Sequence, residues 1–220
     1  MFWNRKTKPS PNDEIRETLF GDLSIENWCG ENTENEPWQS FQLAKQLIEK
    51  KHNEQAIDLL TKITQMENLE TRHYVQAYNF LKELGQANDK PTELFGVVIE
   101  VGIKKNEYDL LATYNDLTAR YYNYTGAGIV WENPDNSIEN EIRNVLELGK
   151  EVMNNIGPWE NARPLPVKKG MVRLNLLTSK GLHFGEAPMN VMGNDPIGGG
   201  LLNASAILMK KLTEKTQDEK

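Results

Sequence analysis

The sequence predicts an α+β protein: an N-terminal helical hairpin, then a five-stranded, mainly antiparallel sheet of order βββ-α-ββ-α with helices on one face. Three observations carry that reading. Before Pro91 the apolar residues recur at helical spacing, as in Phe41, Ala44, Leu47 and Ile48. After Pro91, the stretch Phe95–Glu132 reads as consecutive strands joined by tight turns, with Phe95, Val97, Ile99, Val101 and Ile103 alternating. Helical spacing then returns twice, from Ile138 to Met153 and from Leu201 to Leu212.

A chain of 220 residues can build one generous domain or two small ones. The composition shifts divide it into an arm with a short helix (1–36), a helical hairpin segment (37–90) and an α/β body (91–220). The net charge of −7 opposes binding to a phosphate backbone and favours a basic protein partner. The single cysteine, Cys29, has no intramolecular partner for a disulfide, which suits a reducing compartment. The first residues, MFWNRKTKPSPNDE, lack the apolar core of a signal peptide. No apolar run reaches the ~18 residues of a membrane span. A soluble cytoplasmic protein without membrane contact is expected.

Residues 1–11 read as an arm ending in Pro9 and Pro11. Asn12 is placed to cap a short helix bearing Ile15, Leu19 and Phe20, stopped by Gly21. The polar stretch 30–36 reads as a linker. From Trp38 one helix carries Phe41, Ala44, Leu47 and Ile48, and a second carries Ala56, Ile57, Leu59, Leu60 and Ile63. The pattern Ala44-x-x-Leu47-Ile48 followed by Glu54-Gln55-Ala56-Ile57-x-x-Leu60 resembles one tetratricopeptide repeat. A third helix with Tyr74, Ala77, Tyr78, Leu81 and Leu84 ends at Gly85, so the resemblance spans about residues 38–85. It implies two antiparallel helices crossing closely at small residues. Longer arrays of that family carry a peptide groove, whereas this chain holds little more than one copy. A hairpin packed on the body is the simpler reading.

Two-residue turns at Lys105-Asn106 and Asp116-Leu117 would pair Val101 with Leu110, Ile99 with Ala112, and Ala112 with Tyr121. The opposite face then carries Val98, Glu100, Asp109, Leu111, Thr113, Arg120, Tyr122 and Tyr124. Gly126 and Gly128 interrupt the third strand, which resumes through Trp131. Asn136 or Ser137 is placed to cap the following helix, and Gly157–Gly170 reads as a long proline-rich loop. A three-residue turn at Ser179-Lys180-Gly181 would pair Leu176 with Phe184 and turn His183 to the face of Arg173 and Asn175.

The candidate chemistry is sparse. His183, with Glu186 three residues on, suggests a base or ligand, but His52 and His73 lie in the helical part and no second metal ligand stands nearby. A structural histidine is the plainer reading. Ser179 lacks the elbow of a serine nucleophile. Gly198-Gly199-Gly200 could present N–H groups to an anion but lacks the Walker lysine, so a flexible helix entry fits better. Cys29 has no base nearby in sequence. Trp131 and Trp159 suit either a pocket or the core. Arg120, Tyr122, Tyr124, Arg173 and His183, with Trp159, form the most interesting set, because tyrosine and arginine are favoured in interfaces. The competing reading is that the N-terminal helices cover that face.

These residues make a non-catalytic binding or adaptor module the leading expectation, with an acidic neutraliser of a basic protein partner as a special case. One alternative is a small-ligand-binding protein or enzyme using the His183 region and the 157–170 loop. Another is a structural subunit of a larger assembly. No motif calls for a cofactor or a metal, and the oligomeric state is left open.

Overall fold

The computed structural model describes residues 9–29 and 34–218, so residues 1–8 of the expected arm and 30–33 of the expected linker lie outside the described residues. The elements run α1 (Asn12–Leu19), α2 (Ile25–Trp28), α3 (Trp38–Glu49), α4 (Asn53–Ile63), α5 (Thr71–Glu83), β1 (Leu94–Lys104), β2 (Glu107–Tyr114), β3 (Ala119–Tyr122) and β4 (Gly128–Trp131). They continue α6 (Glu139–Asn155), β5 (Met171–Thr178), β6 (Gly181–Pro188), α7 (Met189–Met192) and α8 (Gly198–Asp218). The strands form one sheet of six, ordered β4-β3-β2-β1-β5-β6, antiparallel throughout.

The class agrees with expectation, and the strand count rises from five to six. The glycines that interrupt the third strand mark a hairpin instead of a pause: Gly126 is left-handed (φ 88°), and Tyr122 pairs with Gly128.

The register of β2 differs by one residue from the expected one. The two-residue turn at Lys105-Asn106 is present, with Asn106 left-handed (φ 59°). A bulge at Ile103 lies between the pairs Gly102–Tyr108 and Lys104–Glu107, so Leu110 faces Glu100 and Leu111 faces Ile99. The bulge sits where the 157–170 segment returns across β1. Gly170 N–H donates to Gly102 O at 2.8 Å, and a Cβ on Gly102 would lie 2.0 Å from Lys168 O. The next turn has three residues, Asn115–Leu117, with Leu117 left-handed (φ 63°), instead of two. The second difference cancels the first, so Ala119 and Tyr121 still share a face with Ile99.

Helices cover both faces, not the single face expected, because α1 and α5 of the N-terminal segment pack on the side opposite α6 and α8. α6 and α8 bring Ile142, Val145, Val152, Leu201, Leu208 and Leu212 against Val97, Ile99, Leu111, Val172, Leu174 and Leu176. Gly149 lets α6 approach closely, since a Cβ there would meet Val97 at 2.6 Å. The other face, with Val98, Tyr108, Leu110, Ala112, Tyr114 and Leu177, lies under Leu19 and Phe20 of the α1 end, Val75 of α5 and Val167. α1 is latched to β2 by its polar atoms. Tyr114 Oη donates to Leu19 O (2.7 Å), Tyr108 Oη to Asp13 (2.8 Å), and Asn12 Nδ2 to the carbonyls of Tyr108 and Asn123. Asn12 is therefore a fully buried bridge and not the expected cap; the Ser10 hydroxyl accepts the Asn12 N–H instead. Burial pushes the Tyr108 and Tyr114 hydroxyls to higher pKa.

A third cluster joins α2–α5 through Trp28, Phe41, Ala44, Leu60, Ile63, Ala77 and Phe80. α3 and α4 turn back on each other through 50–52, where Lys51 is left-handed (φ 63°). α5 starts against the sheet: its Thr71 N–H donates to Asp116 of the β2–β3 turn, and the Asp116 N–H donates back to Thr71 Oγ1. That turn therefore fixes the helical segment onto the sheet.

Candidate functional site

Directly opposed residues of an antiparallel sheet project to the same side. Two rows thus cross the α1/α5 face. One runs Tyr122–Leu110–Glu100–Arg173–Glu186, and the other runs Arg120–Ala112–Val98–Asn175–Phe184. Arg120, Tyr122 and Arg173 share this face, as the sequence suggests. His183 does not. The β5–β6 turn holds two residues, so His183 opposes Leu176 on the α6/α8 face, away from Glu186. Tyr124 sits in the β3–β4 turn with Lys104 Nζ 4.4 Å above its ring. Trp159 packs edge-on against Phe184 (5.1 Å) from the 157–170 segment.

This face is closed by charge pairs. Glu100, fully buried, accepts from Arg16 Nε and from Arg173 Nη1 (2.8 Å). Arg173 also holds Glu186 at 2.5–2.7 Å. The two arginines reach on to the covering segment: Arg16 Nη2 donates to Pro164 O (2.8 Å) and Arg173 Nη1 to Leu165 O (2.9 Å). Asn175 Nδ2 donates to Val98 O (2.9 Å). A buried carboxylate between two guanidiniums is tolerable only with such partners. The cluster clamps α1 and the 157–170 segment to the sheet. Arg120, at the end of the second row, pairs with Glu132 (3.4 Å), and Tyr122 is half-buried against the same core.

The other candidates are also engaged. His183 is 3% exposed, with Nδ1 3.4 Å from Thr178 Oγ1, and burial holds its pKa below the usual 6.5. Ser179 Oγ accepts the Glu93 N–H. Burial pushes the Cys29 thiol up to about 11, which disfavours the thiolate. The glycines at the head of α8 serve packing: a Cβ on Gly198 would lie 2.7 Å from Met192 Sδ, and one on Gly199 would lie 2.9 Å from Gly193 O. Asp195 already takes the Ile197 and Gly198 N–H groups there. Trp131 lies in the core. Among the described residues no group of three or more His, Cys, Asp or Glu could hold a metal, and no helix is long and apolar enough to cross a membrane.

One opening with mostly apolar walls lies on the α6/α8 face. A cleft of about 440 Å³ lies between the sheet and α8. Its floor is Ile99 and Val101 of β1, Asp109 and Leu111 of β2, and Tyr121 of β3. Its wall is Leu202, Ser205, Ala206 and Met209 of α8, with Met189 at one end, 41% exposed. Asp109 is the one charged side chain in that lining. It accepts from Tyr121 Oη (3.0 Å) and the Tyr124 N–H (2.7 Å). Burial and this carboxylate push the Tyr121 hydroxyl up to about 12. Ser205 Oγ is turned back to Leu201 O. The cleft offers apolar surface, one carboxylate and no activated nucleophile. A larger hollow of about 790 Å³ lies between α4, α5 and the β5–β6 turn; it mixes apolar surface with polar side chains that are partly bonded across it, Asn88 on Ser179 O and Lys82 on Glu160.

The sequence reading missed this cleft because it assigned Asp109 to the opposite face. The available signal was Gly102 inside a strand pattern, a mark of a bulge. Compared with protein-family profiles, curated proteins and solved structures, the chain matches nothing. The tetratricopeptide resemblance over residues 38–85 rests on its local helix pattern.

Proposed function

We propose that this protein is a non-catalytic binding module that seats part of a protein partner in the cleft between α8 and β1–β3. The observation that carries the reading is the contrast between that open apolar cleft and the bonded polar groups elsewhere. Clefts of a few hundred Å³ with apolar walls and few polar groups are the usual form of a binding site. The acidic balance of the chain favours a basic partner, and Cys29 suits a reducing, cytoplasmic setting. The face bearing Arg120, Tyr122, Arg173 and Trp159 then serves to hold the scaffold. The rival reading, built on His183 and the 157–170 segment, finds less support because the two lie on opposite sides of the sheet.

Site-specific photo-crosslinking in the native cell tests this. A benzophenone side chain replaces Ala206, at the mouth of the cleft, or Lys150, exposed on α6. A discrete protein adduct from position 206, absent from position 150 and lost on adding Leu202→Asp, is expected. No adduct at 206, or equal adducts at both positions, would overturn the proposal.

A further inference from the structure

We infer that the α8 cleft selects an apolar side chain carried next to a lysine or arginine, so that the partner presents a basic, apolar segment. This deepens the reading above and rests on it. Charge complementarity is the argument. Asp109 stands in the floor among Ile99, Val101, Leu111 and Tyr121, and no lysine or arginine lines the cleft. Among the described residues it has no ion-pair partner; its bonds come from a hydroxyl and a backbone N–H. A carboxylate has about four acceptor positions, so about two remain for a ligand. Each oxygen already holds one donor, which fixes the orientation of the group before anything binds.

The remaining lining supports the same occupant. Met189 and Met209 are part of the lining, and methionine adapts to side chains of different shape. The Tyr121 ring lies beside the carboxylate that its hydroxyl bonds, a surface on which a cation is favoured twice. An acidic segment would place its charge against Asp109 without compensation, and a neutral amide would offer it a hydrogen bond but no opposite charge. The chain's net charge of −7 would steer a basic segment inward and repel an acidic one.

The test uses the full chain with its methionine methyl groups carbon-13 labelled, and follows the Met189 and Met209 signals by NMR. The probes are three tripeptide amides, acetyl-Leu-Phe-Lys, acetyl-Leu-Phe-Gln and acetyl-Leu-Phe-Glu, together with 4-phenylbutylammonium. The lysine peptide is expected to bind roughly fivefold to tenfold more tightly than the glutamine peptide, and the glutamate peptide more weakly than either. Asp109→Asn should bring the lysine-to-glutamine ratio near one and leave the glutamine peptide unchanged. Ala206→Trp, which fills the mouth without touching Asp109, should abolish all binding. Equal affinities for the three peptides, a ratio that survives Asp109→Asn, or no shift at either methyl would overturn the inference. Tighter binding of 4-phenylbutylammonium than of the lysine peptide would overturn it in favour of a free amine. A crosslinked protein partner found without charge selection would leave the binding-module reading standing, which separates the two failures.

Discussion

On the sheet face covered by α1, α5 and the 157–170 segment, charge is buried in pairs: Arg16, Glu100, Arg173 and Glu186 satisfy one another and the carbonyls of Pro164 and Leu165. On the face covered by α6 and α8, the deep contacts are apolar, and the one carboxylate beside them, Asp109, has no cation. The first face is closed because an unpaired buried charge is intolerable, so every covering segment must arrive with a partner. The second needs no such closure. Its cover can stop short, and the uncovered strip between α8 and β3 is where a partner fits.

The largest expected effect breaks the first face. Glu100→Gln leaves two buried arginines without their shared anion and should cost about 3–5 kcal/mol in a urea titration. Asp109→Asn, on the other face, removes a charge that no cation balances and should cost under about 1 kcal/mol. Similar losses from the two substitutions would show that the faces do not differ as described.

A smaller difference is expected between neighbours on β2. Leu110 is fully buried beneath α1 and α5, so Leu110→Ala should cost about 2–5 kcal/mol. Leu111 is equally apolar and nearly as buried, but it forms part of the cleft floor. Truncating it enlarges a space already open to water, so its loss should be at least about 1 kcal/mol smaller. Equal losses would mean that the cleft is closed in solution.

The sequence made the mixed helix-and-strand class and the two long helices of the body legible, but not the sixth strand, because hydrophobic period is a local property. It made the faces of β1 and β3 legible and that of β2 illegible. The shift at Ile103 sits where a distant segment of the chain crosses, Gly170 lying against Gly102. Within the hairpin only Gly102 hints at that crossing, and it does not say which segment makes it. The face of His183 turned on one residue of turn length, and Gly181 fits either turn, left-handed at φ 99° as the first residue of β6. Arg120, Tyr122 and Arg173 were grouped correctly because β3 and β5 kept their parity. Their role was not legible, since the glutamates that bind Arg173 come from strands on either side of it.

The smallest expected effect uses pH to separate the faces. His183, buried on the α6/α8 side, is held neutral, its pKa lowered chiefly by burial, with the Lys82 ammonium acting in the same direction. In the unfolded chain it gains a proton near the usual 6.5, while the folded chain resists. Below that pH the unfolded state binds more protons, so stability falls as the pH drops from about 6.5 toward the lowered folded value. His73, buried among Trp28, Trp38 and Phe41, is shifted the same way and adds to the slope. Unfolding titrations at pH 7.5 and 5.5 should therefore show a loss that shrinks in His183→Gln and shrinks further when His73→Gln is added. A loss unchanged in the double variant would mean that the acid sensitivity arises outside these two buried histidines.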